Sequence, residues 1–316
     1  MSVAKEHPHL YRGLACCIAG GVFWGFSGVC CQYLFEHNPG LDPLWLTAIR
    51  MFIAGGLLLL IVSLQDARRV VRLVQTPRDI VSMLIYAVLI SAPTQFLYLW
   101  CVSLSNAGTA TVLQFNEAVI VMLWVCWSTK TLPNRYEVLA VLSAVTGVFL
   151  FATHASLDSL AISSQSLAVG LTCALVSAFY SAWPVKLIIR YGSFLVTAVS
   201  LFLGGAVLCL VNQVWLVPYN LDGMSTLAFA GLIFIGTALA FSLYFRGVGD
   251  IGPMRASMIL STEPLSATLL SWLLLGTVFT MWDWVGFSLV IMTVFLMFIP
   301  PKKSPDKGQL SSQKSA

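Results

Sequence analysis

The chain has 316 residues, of which 58% are hydrophobic and only 9% are charged, and its mean hydropathy is +0.87. Soluble domains carry about 25% charged residues on average. The composition therefore excludes an ordinary soluble enzyme or binding domain and indicates a membrane protein with several spans.

Windows of about 20 residues identify ten apolar segments that are long enough to cross a bilayer. In chain order the predicted spans 1 to 10 cover residues 13–33, 44–64, 80–100, 107–127, 136–153, 168–185, 194–215, 227–245, 254–275 and 282–300. The first segment has no clear small-residue cleavage site, so it is counted as a span and not as a signal peptide. The polar tail at residues 301–316 is predicted to be disordered.

The basic residues give these spans an orientation. Sixteen of the 17 Lys and Arg residues fall in the termini or in loops on one side of the predicted spans, and the remaining one, Arg50, lies inside span 2. Cytoplasmic loops hold an excess of Lys and Arg, so we predict that both termini and the tail are cytoplasmic. The net charge of +4 reflects this topology, and no nucleic-acid partner is predicted.

The sequence repeats itself with a period of about half its length. LTAIRMFIAGG at residues 46–56 resembles VTAVSLFLGGA at residues 196–206, at an offset of 150. NEAVIVMLW at residues 116–124 resembles TEPLSATLL at residues 262–270, at an offset of 146. The chain is thus five spans followed by five related spans.

An odd number of spans in each repeat makes the second repeat cross the membrane in the opposite sense. We therefore predict an all-α membrane protein with ten transmembrane helices in two inverted five-helix repeats. The first repeat covers residues 1–153 and the second covers residues 154–300. Two similar halves of this kind can exchange which side of a central site is closed, which is what alternating access needs.

Four motifs occur in a fixed order: WGFSG in span 1, TAIRMFIAGG in span 2, SNAGTATVLQ at the start of span 4 and EPLSATLLSWLLLG in span 9. Together they resemble the drug/metabolite transporter superfamily in its EamA-type branch, over about residues 10–300. The resemblance implies a carrier of the bacterial inner membrane, often an exporter of amino acids or other small metabolites, with a cavity between the halves. The first repeat departs from the family in having Glu117-Ala118 where a proline is usual.

Away from the span ends, three charged residues fall inside the apolar segments: Arg50, Glu117 and Glu263. A carboxylate at the bilayer centre costs at least about 2.5–3.5 kcal/mol, so intramembrane ionisable groups indicate function. An isolated carboxylate suits proton exchange, whereas one that faces Arg50 would stay ionised and suit binding of a cationic group. The structural alternatives are a protonated glutamate bonded to a neighbouring helix and an arginine that locks two helices together.

Four aromatic residues lie where they could line a cavity, although ordinary helix packing is an equal alternative. The predicted substrate-binding residues are accordingly Trp24, Arg50, Tyr98, Glu117, Tyr180, Tyr244 and Glu263, with Glu117 and Glu263 as the candidates for proton coupling. Pro264 removes a helical hydrogen bond next to Glu263, so we predict a hinge there. Gly21 and Gly25 form a GxxxG pattern, which predicts a close helix contact.

The predicted function is a secondary transporter that exports small amino-acid-like or amphipathic metabolites by alternating access, with proton exchange as one way to drive it. An uncoupled facilitator and a non-transporting scaffold or sensor are the alternatives. No cysteine or histidine pattern predicts a metal or cofactor, and nothing indicates an enzyme. The GxGxxG match at residues 247–252 joins two spans and follows no strand, so no dinucleotide site is predicted. A homodimer is compatible with the sequence.

Overall fold

The computed structural model of the chain describes residues 9–130, 132–154, 161–217 and 219–297. Within these ranges the chain is helical and contains no β-strand. The tail at residues 301–316 lies outside the described residues. A helical architecture suits a bilayer, because a helix pairs its backbone N–H and C=O groups within its own segment.

Fifteen α-helices are present in the described part of the chain. The first half contains α1 (Leu10–His37), α2 (Pro43–Val74), α3 (Pro77–Tyr86), α4 (Ala92–Leu104), α5 (Ala107–Gln114), α6 (Glu117–Thr129) and α7 (Arg135–Thr153). The second half contains α8 (Ser164–Ala182), α9 (Val185–Tyr191), α10 (Ser193–Val211), α11 (Gly223–Ala230), α12 (Ala240–Ile251), α13 (Pro253–Ile259), α14 (Thr262–Leu275) and α15 (Met281–Met297). A π-helical segment joins α3 to α4 (Ala87–Ser91), and another joins α11 to α12 (Gly231–Leu239).

Among the residues that the structure describes, eight helical stretches are long and apolar enough to cross a membrane, judged by length and composition. They coincide with eight of the ten predicted spans. Predicted spans 5 and 10 correspond to α7 and to α15, and the apolar part of α15, Met281–Leu296, is shorter than the eight. The count of ten spans therefore stays a prediction.

Helix α2 is longer than the predicted span 2, which ended at residue 64. It continues to Val74 through a kink at Asp66, where φ is −152° and ψ is 72°. The Asp66 carboxylate accepts a hydrogen bond from the backbone N–H of Arg69 at 3.3 Å, so it caps the turns that follow. A hydropathy window misses this extension because half of its ten residues are polar or charged, including three arginines.

Helices α2 and α10 cross at two glycines. A Cβ atom on Gly55 would collide with the backbone of Phe202, and one on Gly205 would collide with the backbone of Phe52. The two contacts exchange under the 150-residue offset, and the rings of Phe52 and Phe202 stack with centroids 5.2 Å apart. Small residues at a crossing let membrane helices approach closely. The crossing joins the first half of the chain directly to the second.

Helices α7 and α15 pair in a similarly reciprocal way. A Cβ atom on Gly147 would press against the carbonyl oxygen of Gly286. The hydroxyl of Thr293 donates to the carbonyl oxygen of Ala140 at 3.2 Å. These two contacts exchange under the 146-residue offset.

Helix α1 packs against the start of α14 along the predicted GxxxG face. A Cβ atom on Gly21 would meet the hydroxyl of Thr262, and one on Gly25 would meet Ser266. The hydroxyl of Ser266 also donates to the carbonyl oxygen of Gly21 at 3.3 Å. The predicted close contact is confirmed, and it brings Glu263 beside α1.

Alanine substitutions test the crossing of α2 and α10. We expect Gly55→Ala and Gly205→Ala to lower the melting temperature of the purified protein in detergent, because backbone cannot yield to the new methyl group and overpacking costs about 1–3 kcal/mol. Gly56→Ala is the matched control, since its Cβ would touch only the Phe202 ring at 3.6 Å. The same loss of stability at Gly56 would contradict the packing explanation.

Candidate functional site

A cavity of about 470 Å³ lies between the two halves of the chain, a size that suits a small organic molecule. Its walls come from α1, α2, α4 and α6 on one side and from α8, α10, α12 and α14 on the other. The cavity reaches Ile188 and Ser193 at one end of the bundle. We call this the basic end, because salt bridges of Arg12 and Arg190 lie there.

All seven predicted substrate-binding residues line this cavity: Trp24, Arg50, Tyr98, Glu117, Tyr180, Tyr244 and Glu263. They come from seven different helices and are up to 239 positions apart in the sequence. Their role in binding stays a prediction, whereas their assembly around one cavity is an observation.

The two glutamates occupy equivalent places in the two halves. Glu117 lies in the first turn of α6, and Glu263 lies in the first turn of α14. A two-residue turn interrupts the helix just before each of them, at residues 115–116 and at residues 260–261. The unpaired N–H groups and the dipole at a helix N-terminus favour negative charge. Both side chains are half-buried and line the same cavity.

The two interruptions are stabilised by different residues. In the first, the Asn116 amide donates to the carbonyl oxygen of Leu113 at 3.1 Å. In the second, the hydroxyl of Thr262 donates to the carbonyl oxygen of Ile259 at 2.8 Å, and Pro264 contributes no N–H group. A proline is therefore not required for the interruption, and the role of Pro264 as a hinge stays a prediction.

Arg50 lies in the cavity wall beside α4, and only 5% of it is exposed. Its Nη2 donates to Oε1 of Gln95 at 2.5 Å, while its Nε is buried with no hydrogen-bond partner among the described residues. The salt bridges found in the described part of the chain lie elsewhere and include neither Glu117 nor Glu263. Of the two arrangements left open by the sequence, the structure has the one without a direct glutamate–arginine pair.

Aromatic rings form the cavity wall that belongs to α1 and α12. The ring centroid of Trp24 lies 4.8 Å from that of Phe241 and 5.1 Å from that of Tyr244. Phe245 stacks on Phe241 at 5.9 Å. Trp24 and Tyr244 therefore act as one continuous surface.

The other two predicted aromatic residues are held by hydrogen bonds. The hydroxyl oxygens of Tyr98 and Thr111 are 3.1 Å apart. The carbonyl oxygen of Tyr180 accepts from the Tyr86 hydroxyl at 3.1 Å. The first bond holds the Tyr98 side chain, and the second holds the Tyr180 backbone.

Several uncharged polar residues of the wall were not predicted, among them Gln95, Gln114 and Ser177. Gln114 donates through Nε2 to the hydroxyl of Ser177 at 3.0 Å, which links α5 to α8. Ser177 also lies beside Glu117. An amide in an apolar span carries a large desolvation cost and is a usable signal, but a search for charged residues alone passes over it.

The cavity is closed at the end opposite the basic end, around Gln32, which is 2% exposed. Its Oε1 accepts from the backbone N–H of Ala107 and from the hydroxyl of Ser271, each at 3.0 Å. Its Nε2 donates to the hydroxyl of Thr277 at 2.9 Å. One side chain therefore joins α1 to the start of α5 and to the end of α14.

No group of three His, Cys, Asp or Glu side chains that could hold a metal ion occurs within the described ranges. The eight cysteines are free thiols. The GxGxxG match lies in the last turns of α12 and ends at Gly252, which has a φ of +83° and stands between α12 and α13. The glycine pattern is thus part of a helix and its end.

Comparisons with known proteins identify the family. The model of the EamA-like transporter family matches the chain twice, at residues 11–153 and at residues 165–299. The "Uncharacterized inner membrane transporter YicL" of Salmonella typhimurium is 37% identical over 92% of this chain and 97% of that protein. An "Uncharacterized transporter" of Clostridium kluyveri is 24% identical over 90% of this chain and 92% of that protein.

A solved crystal structure of a protein aligns with 96% of this chain and 99% of its own, with a TM-score of 0.63. The sequence identity to it is 13%, so this likeness concerns the fold alone. The family matches, by contrast, cover nearly the whole chain in sequence. The chain therefore belongs to the EamA-like transporter family and is a multi-pass membrane transporter.

Proposed function

We propose that this protein is a secondary transporter of a bacterial inner membrane that exports small amino-acid-like or amphipathic metabolites by alternating access, coupled to protons. The observation that carries the proposal is the cavity between the halves, with equivalent glutamates at the starts of two interrupted helices. Interrupted helices whose ends face a central cavity are typical of secondary transporters.

Several observations support two inverted repeats, residues 1–153 and 154–300, with ten spans. The family model matches two stretches of similar length. The crossing of α2 with α10 and the pairing of α7 with α15 are each reciprocal under the sequence offset. The π-helical segments, Ala87–Ser91 and Gly231–Leu239, also overlap at the 146-residue offset. Two related halves can exchange roles when the open side changes.

Alternating access is supported by the difference between the two ends of the cavity. The cavity reaches Ile188 and Ser193 at the basic end, whereas the hydrogen bonds of Gln32 close the other end. If the basic end faces the cytoplasm, this conformation can load substrate from inside. Export then requires the Gln32 contacts to separate.

Proton coupling is supported by the surroundings of the glutamates. Neither is neutralised by a salt bridge among the described residues, and each is only half-buried. A carboxyl group at a cavity wall can gain and lose a proton when the open side changes.

Glutamine variants test the coupling. We expect Glu117→Gln or Glu263→Gln to abolish pH-gradient-driven flux into proteoliposomes while substrate exchange at equal pH continues, because glutamine keeps the size but cannot titrate. The labelled substrate is chosen by a thermal-shift screen of metabolites. Asp42→Asn is the control, since Asp42 is an exposed helix cap and asparagine caps equally well.

Two outcomes would count against the proposal. Full pH dependence in both glutamine variants would make the carboxylates structural and favour an uncoupled facilitator. No movement of any metabolite into sealed vesicles would favour a scaffold or sensor.

Gln32→Leu tests the closed end. We expect labelling of the adjacent Cys31, which is fully buried, by a maleimide to rise roughly tenfold, because the lost hydrogen bonds and the unpaired Ala107 N–H cost about 1–3 kcal/mol. Cys17, buried near the basic end, is the control in the same sample. Unchanged Cys31 labelling would show that Gln32 does not hold this end closed, and equal rises at both cysteines would show general loosening.

Cysteine labelling in cells tests the orientation. Single cysteines at residues 154–165 and 216–225 should react with an impermeant maleimide from outside, and those at residues 65–78 only after permeabilisation. The physical reason is the retention of basic loops in the cytoplasm. External labelling at residues 65–78 would overturn the orientation and, with it, the direction of export.

A further inference from the structure

The two halves differ sharply at one place in the cavity. Arg50 in α2 corresponds to Ser200 in α10 at the 150-residue offset, and Gln95 in α4 corresponds to Phe241 in α12 at the 146-residue offset. Arg50 and Gln95 are bonded to each other, while Phe241 belongs to the aromatic wall with Trp24. The cavity therefore has a polar patch, formed by Arg50 and Gln95, on one side and an aromatic surface, which includes Trp24 and Phe241, on the other.

The polar patch offers hydrogen-bond donors. An arginine has no acceptor, so the Gln95 amide must turn its oxygen towards Arg50, as the 2.5 Å contact shows. The Gln95 NH₂ group is then left to donate into the cavity that Gln95 lines. The Nε of Arg50 has no partner in the described part of the chain.

An uncompensated guanidinium in this position is costly. Removal of an ion from water costs several kcal/mol in a protein interior, and Arg50 is 5% exposed with no salt bridge to any described acid. Its repeat mate, Ser200, is neutral, and its hydroxyl donates to the carbonyl oxygen of Thr197 at 3.0 Å. A bound anion would supply the missing partner for Arg50.

The chemistry of the patch narrows the anion. A guanidinium beside an amide NH₂ matches a planar group with two oxygens, which is a carboxylate. The two glutamates in the same cavity disfavour a second negative charge on the ligand. The rings of Trp24, Phe241 and Tyr244 offer a flat apolar surface to the rest of the molecule.

We infer that the substrate is a monocarboxylate with a flat apolar body, held by its carboxylate at Arg50 and Gln95 and by its body against Trp24 and Phe241. This inference rests on the proposed function, of which it names the substrate class. In the second half of the chain, Ser200 replaces Arg50 and Phe241 replaces Gln95. Only one side of the cavity can therefore bind the carboxylate, so the ligand binds in one orientation.

Three ligands of matched shape test the inference: 3-phenylpropionate, its neutral amide and 3-phenylpropylamine. Binding to the purified full-length protein is measured by isothermal titration calorimetry. We expect the acid to bind at least about tenfold more tightly than the amide and the amine, which is ~1.4 kcal/mol. Tighter binding of the amine, or no binding of the acid, would overturn the inference.

Two substitutions locate the contact. Arg50→Lys should weaken acid binding about tenfold because the planar fork is lost, and Gln95→Glu should abolish it because the new carboxylate pairs with Arg50. Correct folding of each variant is checked by its melting temperature in detergent. Ser200→Ala is the matched control, since Ser200 is the repeat mate of Arg50 and lies outside the cavity wall. Acid binding that is unchanged in both variants would contradict the assignment.

Flux measurements separate this inference from the proposed function. Selective acid binding without flux in proteoliposomes would contradict transport but would leave the binding site intact. Flux of the amine in preference to the acid would overturn the substrate class and leave transport standing.

Discussion

Two helix backbones meet without an intervening side chain at Gly55 and Gly205, and this contact sets the position of much of the structure. Lipid gives helices no hydrophobic force towards each other, so close packing through small residues supplies the association. Arg50 lies less than two turns before Gly55 on the same helix. The crossing therefore holds the guanidinium between the halves, where Gln95 can reach it.

The glutamates depend on a second constraint, which is that backbone groups in a membrane must be satisfied inside the protein. An interrupted helix is acceptable only where side chains or a wet cavity replace the missing bonds. Asn116 supplies such bonds in one half and Thr262 in the other. Two different local sequences therefore produce the same result, a carboxylate in the first turn of a new helix at the cavity wall.

The packing contacts of the two halves are close to symmetric, whereas the side chains around the cavity are not. Reciprocal contacts at Gly55 and Gly205 build matching halves, yet Gln32 is a single side chain that closes one end of the cavity. In the proposed alternating-access cycle, related halves would give two conformations of similar free energy, and a few unmatched polar residues would decide which one is populated and what is bound. The residues that line the cavity are thus distinct from the glycine contacts that hold the helices together.

The sequence by itself determined the apolar segments, the repeat and the family, and it predicted seven residues of the cavity wall. The three charged residues stand out because a charge in an apolar span is costly, and the four aromatic residues because of their depth or their repeat-related positions. Only the tertiary structure decided how those residues pair. Glu117 and Glu263 could have faced Arg50, but Gln95 does so instead. Gln32 forms hydrogen bonds with residues 75 to 245 positions away in the sequence. The sequence around an uncharged amide does not indicate such distant partners. Partner choice depends on how distant helices cross, and glycines at the crossings set that geometry through contacts that hydropathy does not register.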